Sequence, residues 1–334
     1  MAWRALSPAC LGLVRAVEAT LPPALMATGL DRLTIALSGG ADSLALAAAT
    51  AWATLHRAGP LAGVAAAALV VDHDLQPGSA AVAQTARQQA ETLGLSTSVV
   101  RVEVTDRGQG VEAAAREARY AALLADPLTV VVLGHTLDDQ AETVLLGLAR
   151  GSGVRSLAGM AGQSGRVVRP FLAERRRTTE QACRDWGLNW WQDPANTDLS
   201  YSRSRLRSAM PELEGLLGPG LAEALARTAT LARLDADYLD ALTTATGIDP
   251  GQDQLPVAEL VGVPPVLRQR LLLAWLRRFG GDQVGYGHVL TVDQLITAWR
   301  GQKPVSLPGG TVSRMGDWLV LRGLERGDGS FVRV

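Results

Sequence analysis

The sequence predicts an α/β protein: a doubly wound, mostly parallel sheet over residues 1–215, then a helical C-terminal domain over 216–334 ending in a small β-hairpin at about 303–322. Three observations predict it. Short apolar runs alternate with helix-length segments through the first half, the pattern of parallel strands joined by crossover helices. Strand signals then give way to amphipathic helical stretches from about Leu216. Near the end, "PVSLPGGTVSRMGDWLVLRG" carries two β-like runs around Pro308-Gly309-Gly310, a hairpin signal.

Taken in order, residues 6–21 read as a helix closed by Pro22-Pro23. Strands are expected at Leu33–Leu37, Ala66–Val71, Thr97–Val104 and Thr129–Leu133, with helices at 43–57, 79–93, 111–125 and 138–149. After Gly165, "VVRPFL" reads as another short strand and "RRRTTEQACRDWGL" as a helix. The stretch "WWQDPANTDLSYSRSRLRSAMPEL" reads as a polar loop, and helices follow over about 216–246, 264–281 and 289–300. A sheet of this kind binds ligands outside the carboxyl ends of its strands. The unusual motifs of this sequence follow strand ends.

Composition narrows the function. A chain of 334 residues exceeds one typical domain and can bury a core without staples. At net charge −1 there is no global basic field, so any polyanion site must be local. Cys10 and Cys183 are far apart and in no metal-binding spacing, which argues against a disulfide framework, a zinc site or an iron–sulfur cluster. A reducing cytoplasm fits that usage. Arg15 and Glu18 interrupt the apolar stretch after Arg4, unlike a signal peptide, and no uninterrupted apolar run approaches a membrane span. Lys303 is the single lysine; the arginine excess is uniform along the chain and reads as codon-composition bias.

Chemistry begins at "ALSGGADSLAL". Strand, Ser38-Gly39-Gly40-Ala41-Asp42-Ser43, helix is an anion-binding arrangement: glycines permit close approach, hydroxyls bond phosphate oxygens, and the helix N-terminus offers N–H groups. Asp42 would repel phosphates unless a cation such as Mg²⁺ intervenes; otherwise it is an N-terminal cap of a tight turn. In "LGHTLDDQAETVLLGLARGSG", His135 follows a strand and Asp138, Asp139 and Glu142 open a helix. Asp138 and Glu142 stand at i, i+4 on one helix face. Acids at a helix start also complement its dipole, but this set exceeds that need and suits Mg²⁺ or an ammonium. Asp72 and His73 end another strand in "VVDHDLQPGSA", a weak signal taken alone. Glu112, Arg116 and Arg119 recur near helical spacing and fit a salt-bridged face. From Arg166 to Arg207 nine arginines stand against five acids, locally +4, and Arg203, Arg205 and Arg207 there could meet phosphates.

On these motifs the sequence resembles the tRNA(Ile)-lysidine synthetases of the PP-loop ATP pyrophosphatase superfamily. The Ser-Gly-Gly-x-Asp-Ser loop belongs to the whole superfamily. "VDHDLQPGSA", "EAAAREARYAAL", "LGHTLDDQAETVLLGLARGSG", "RPFL" and "DPANTDLSYSRSRLR" are specific to this family and occur in its order, covering about residues 33–211. "VSLPGGTVSRMGDWLVL" is a weaker match to the end of its first C-terminal domain.

The resemblance implies a PP-loop, adenine nucleotide α-hydrolase-like fold and a C–N ligase acting on the tRNA(Ile) whose anticodon is CAU. ATP would adenylate the C2 oxygen of the wobble cytidine, releasing pyrophosphate, and the ε-amine of free L-lysine would displace AMP. The lysidine formed reads AUA instead of AUG and changes the tRNA's identity from Met to Ile. It implies that Ser38, Gly39, Gly40, Ala41, Asp42, Ser43, Asp72, His73, Arg116 and His135 bind ATP. Asp42, Asp138 and Glu142 would be catalytic, with Asp138, Asp139 and Glu142 binding lysine. Asp42 and Asp138 would hold Mg²⁺, while Arg203, Arg205 and Arg207 would contact tRNA. No membrane and no obligate protein partner are expected.

The sequence departs from the family at three places. Ser204 follows Arg203 where Arg-Asn-x-x-Arg is usual, Asp74 replaces a common glycine, and longer members carry a second C-terminal domain. Two rivals are a thiolase-like PP-loop enzyme, which generally needs a catalytic cysteine or a C-x-x-C cluster, and a non-catalytic ATP- or RNA-binding module, against which the intact acidic set speaks.

Overall fold

The computed structural model describes residues 6–55, 58–76, 78–106, 108, 110–151, 153–196 and 198–323. Residues 56 and 57 of the expected second helix, and Pro77 of "VDHDLQPGSA", lie outside them. The chain forms two compact units: one runs through Ala149 and resumes over Gly159–Ala229, and the other holds Arg150–Ala158 and continues from Thr230.

The first unit opens with α1 (Pro8–Thr28), β1 (Arg32–Leu37), α2 (Ala41–Leu55), β2 (Ala65–Asp72), α3 (Ser79–Thr92), β3 (Ser96–Arg101), α4 (Val111–Leu123), β4 (Val130–Val132) and α5 (Leu137–Arg150). The helix α6 (Val154–Leu157) belongs to the second unit. The first unit then continues with β5 (Gln163–Ser164), β6 (Val167–Val168), α7 (Arg176–Trp186), α8 (Ser202–Leu217) and the start of α9 (Leu221–Thr244). Its sheet has the order β3-β2-β1-β4-β6-β5 and is parallel except at the β5 edge. Ile35 pairs with Ala68 on one side and Val132 on the other.

Both sheet faces are covered, as parallel sheets require. Leu33, Ile35 and Leu37 point into a core shared with α1, α2 and α7, where Leu44 to Ala49 are completely buried. On the other face Ala36, Leu69 and Val71 pack with Tyr120, Leu123 and Leu124 around α4. These strand residues alternate sides with the two-residue period of a strand.

Two expectations are corrected. Pro22-Pro23 does not end the first helix: α1 runs on to Thr28 and stops at Gly29, whose φ of 68° is left-handed. Leu21 and Ala24 are buried on either side of the prolines, so core packing holds the helix through them. Among the described residues α1 is the one helix long and apolar enough to cross a membrane by length and composition, and its Leu13, Val14, Val17 and Leu21 are wholly buried in this core. The second correction concerns the arginine-rich stretch, whose second half is α8 rather than loop. A single 3₁₀ turn at Pro194–Asn196 precedes it.

The second unit takes the rest of α9, then β7 (Gln254–Pro256), α10 (Val257–Gly262), α11 (Pro265–Gly280), α12 (Tyr286–Thr297), β8 (Val305–Leu307), β9 (Gly310–Met315) and β10 (Trp318–Gly323). The expected hairpin is part of an antiparallel sheet of order β7-β10-β9-β8, with β7 and α10 unforeseen. Leu271, Leu272, Trp275 and Leu276 of α11 form its core with Val292, Val312 and Leu319. Within it Arg268 is buried and donates from Nε to Asp293 at 2.6 Å.

Candidate active site

Three residues join β1 to α2, and the turn closes on itself. Gly39 has a φ of 83°, a left-handed value that costs other residues energy. The Ser43 hydroxyl accepts the Ser38 N–H at 3.1 Å and donates to the Gly40 carbonyl at 3.0 Å. Beyond β4, Gly134 lies against this turn: a Cβ there would sit 2.9 Å from the Asp42 carbonyl oxygen and 3.2 Å from the Ser43 nitrogen. The close approach brings the β4 end, with His135 and the start of α5, beside the first turn of α2.

Four carboxylates converge at that point, and arginines hold them. Asp139 is buried and accepts the Thr136 N–H at 2.8 Å and the Thr136 hydroxyl at 2.9 Å, as a residue opening a helix does. Arg176, at the start of α7, donates to Asp139 at 2.7 Å and to Asp42 at 3.2 Å and lies 3.6 Å from Glu142. Its backbone N–H donates to Asp138 at 2.7 Å. Arg207 of α8 forks onto Glu142 at 2.8 and 3.2 Å and also reaches Asn196 at 2.8 Å. Arg203, one turn earlier, donates to Thr143 at 3.0 Å and lies 3.7 Å from Glu142. Arg175 lies 3.5 Å from Asp138 and 3.6 Å from Glu214. These contacts explain why α8 is helical: the i, i+4 spacing places Arg203 and Arg207 on one face toward Glu142.

The electrostatics follow from burial and these partners. Burial pushes the Asp42 carboxyl up to about 6, against the pull of Arg176 and a hydrogen bond from the Thr179 hydroxyl. Asp139 is pushed up by burial too, yet Arg176 and the Thr136 hydrogen bonds hold it below the usual carboxylate range. The acids in turn hold Arg176 protonated well above its ordinary value, overcoming its own burial. Burial takes His135 down to about 3, with Arg169, Arg119 and Arg116 adding to the effect and Asp139 opposing it, so the imidazole is neutral.

A cavity of about 180 Å³ opens on this network. Asp138, Glu142 and Glu214 give it negative charge, and Arg175, Arg176 and Arg207 give it positive charge. Met210 and Pro211 supply an apolar wall. Cation, anion and aliphatic surface in so small a space match a zwitterion with a methylene stem, such as an amino acid.

Of the residues expected from sequence, Asp42, Asp138, Asp139, Glu142, Arg203 and Arg207 meet in this network, and the turn from Ser38 to Ser43 and His135 border it. Arg205 does not join it: exposed, it donates to the Leu199 carbonyl at 2.8 Å and the Ser200 carbonyl at 2.7 Å, tying down its own loop. Asp72 is buried at the end of β2 and accepts the Asp74 N–H at 3.0 Å. Burial holds the neighbouring His73 below its ordinary value, with Arg119 adding to the effect. Asp74 has a φ of 52°, the left-handed region where glycine is easiest, and carboxylate residues tolerate it better than most. Arg116 stacks over the Tyr120 ring at 4.9 Å, so its face of α4 is not simply salt-bridged. Sequence reasoning missed Arg175 and Arg176. The signal was there: three consecutive arginines opening a helix oppose its dipole and need acids nearby.

The Asp42 and Asp138 oxygens expected to hold Mg²⁺ have protein partners in this structure. The Asp42 oxygens are engaged by Thr179 and Arg176, and those of Asp138 by the Arg176 N–H and Arg175. Arg176 supplies a cation of the protein's own beside Asp42, Asp139 and Glu142.

Cys183 lies nearer the nucleotide turn than its sequence position suggested, its thiol donating to the Ala41 carbonyl at 3.3 Å. Burial pushes that thiol up to about 12, and Cys10 is buried as well. Neither supplies the thiolate that a cysteine-dependent thiolase uses.

The PP-loop domain family matches residues 14–213 and the TilS substrate binding domain family matches residues 255–320. A tRNA(Ile)-lysidine synthase of Mycolicibacterium paratuberculosis is 51% identical over 286 residues, covering 84% of this chain and 86% of its own. Another, from Thermobifida fusca, is 49% identical over 297 residues, covering 86% and 90%. Among solved structures, the U34-tRNA thiolase NcsA from Methanococcus maripaludis superposes with a TM-score of 0.52 at 17% identity, over 67% of this chain and 80% of its own, a likeness of fold alone.

Proposed function

Since the chain belongs to the tRNA(Ile)-lysidine synthase family, and is therefore an ATP-using ligase that forms lysidine in tRNA, we propose how its residues divide that work. The substrate is the tRNA(Ile) bearing a CAU anticodon, whose loop already presents the wobble cytidine unstacked. The C2 oxygen of that base attacks the α-phosphorus of ATP, and the bond to pyrophosphate breaks. The ε-amine nitrogen of lysine then attacks C2, and the C2–O bond to AMP breaks. The product reads AUA in place of AUG.

The turn from Ser38 to Ser43, with the α2 N-terminus behind it, binds the leaving pyrophosphate. Asp72, His73, Arg116 and His135 bind the rest of ATP along the strand ends. Lysine occupies the cavity: Asp138 and Glu142 meet an ammonium, Arg175 or Arg207 meets the carboxylate, and Met210 and Pro211 cover the stem. The ε-ammonium must lose a proton before attack, and Asp138 is placed to accept it. Asp42 and Arg176 link the nucleotide turn to the lysine cavity. Mg²⁺ would screen the phosphates when ATP carries it in. Arg203 and Arg207 face the incoming anticodon loop, Arg205 holds the loop before α8, and the second unit binds more of the tRNA. The reaction takes place in the cytoplasm.

The observation that carries this reading is the doubly charged cavity sharing Arg176 with the Ser-Gly-Gly turn. The test is pyrophosphate release and lysidine formation with ATP, lysine, and either CAU or GAU isoleucine tRNA. Release should need the CAU tRNA, lysidine should need lysine as well, and Asp42→Ala should abolish both. Release with lysine alone, or indifference to the anticodon, would sink the proposal.

A further inference from the structure

Beside the acid network lies a group of cations with few acids to match. Arg116 and Arg169 both approach the Tyr120 hydroxyl, each at 3.4 Å, one from α4 and one from the end of β6. Arg169 is buried, bonded through Nη1 to the Ala161 carbonyl at 2.9 Å, and its Nε has no hydrogen-bond partner. The His135 Nδ1 next to them is likewise buried and unpartnered. Arg119, half-buried one turn along α4 from Arg116, makes no ion pair among the described residues. Its guanidinium is held below its ordinary value by burial and by the charges of Arg116 and Arg203.

Buried donors usually find partners, and like charges are not gathered without a cause. Arg203 belongs to the acid network, 3.7 Å from Glu142. The others face a neutral His135 and each other. An unliganded protein that keeps such a group gives up stability, as binding sites commonly do. Phosphate is the anion whose oxygens take several guanidinium donors at once.

We propose that Arg116, Arg119 and Arg169 form a second phosphate site, distinct from the Ser-Gly-Gly turn. This rests on the ligase reading above and adds Arg119 and Arg169 to its site. The occupant is a phosphate of the ATP or a phosphodiester of the RNA strand carrying the wobble base.

The experiment measures ATP binding without RNA, and binding of the CAU anticodon stem-loop without ATP, for the wild type, Arg119→Gln and Arg119→Lys. With Arg119→Gln one of the two affinities should fall about ten-fold, and Arg119→Lys should recover part of it. The unliganded Arg119→Gln protein should melt no lower than wild type, because the residue it loses is repelled by its neighbours. Loss for ATP alone identifies a nucleotide phosphate. Loss for the stem-loop, with a salt dependence shallower by about 0.7 in log–log slope, identifies an RNA phosphodiester. Unchanged affinity for both ligands, or a lowered melting temperature, overturns the site. Lysidine formation by the wild type is the separate control: if it fails the ligase reading falls, while the binding measurements still judge the phosphate site.

Discussion

Replacing Arg176 by Met should both destabilise the first unit and stop catalysis. The side chain is 21% exposed and lies within 3.6 Å of Asp42, Asp139 and Glu142, which are themselves 23%, 11% and 2% exposed. Removing one partner from buried ion pairs typically costs about 3–5 kcal/mol, because the remaining charge is left without compensation. Arg207 stays on Glu142 at 2.8 Å and near Asp139 at 3.5 Å, so the loss falls chiefly on Asp42. That favours the lower end, about 3 kcal/mol, which for a unit of this size lowers Tm by about 6–12 °C. Without the guanidinium the Asp42 carboxyl should move above its value of about 6, so a larger share of it is protonated at neutral pH. Pyrophosphate release should then fall even where the protein is folded. Differential scanning calorimetry and a release assay well below the variant's Tm separate the two effects. Arg176→Lys should recover part of the stability, since one ammonium cannot reach three carboxylates. A Met variant that melts within about 1 °C of wild type would refute the claim that this residue neutralises the cluster.

Two further predictions concern the same turn. Gly134→Ala places a Cβ 2.9 Å from the Asp42 carbonyl oxygen, and backbone rather than a side-chain tip must give way. Overpacking of this kind costs about 1–3 kcal/mol, and a displaced turn should lower turnover by up to about 100-fold; wild-type kinetics and Tm would show that the strand end and the turn are not in register. The pH dependence follows from Asp42, which binds its proton near pH 6 when folded and near 3.8 in the unfolded chain. Between those values the folded state holds the extra proton, so this group's contribution to stability declines as pH rises from about 4 to 6. Pyrophosphate release, needing the ionised carboxylate, should rise as pH passes upward through about 6. His135, neutral above about 3, should add no limb of its own. Thr179→Val removes a hydrogen bond that favours the carboxylate, so the limb should move to higher pH; a limb that stays put would assign it to another group.

Much of the catalytic domain is legible in sequence because its signals are local. A strand's apolar run, the two glycines after Ser38 and the i, i+4 spacing of Asp138 and Glu142 each depend on a few neighbouring residues. Local logic failed where packing overrides propensity. Pro22-Pro23 would end an isolated helix, yet burial of Leu21 and Ala24 carries α1 through. Ser and Arg in "SYSRSRLR" favour a loop by composition, whereas ion pairs to Glu142 from a distant helix make the segment α8. β7 escaped notice because a three-residue strand is defined by its partner β10, far along the chain.

By itself the sequence determined that an anion-binding turn, an acidic helix start and an arginine-rich segment follow strand ends in a parallel sheet. It could not say which charges meet. That is decided by the crossing of β4 past the α2 turn at Gly134 and by the docking of α7, which sets Arg176 among carboxylates over thirty residues away. Charge pairing acts through space and is strongest where water is excluded, so it leaves no periodicity for a sequence to display.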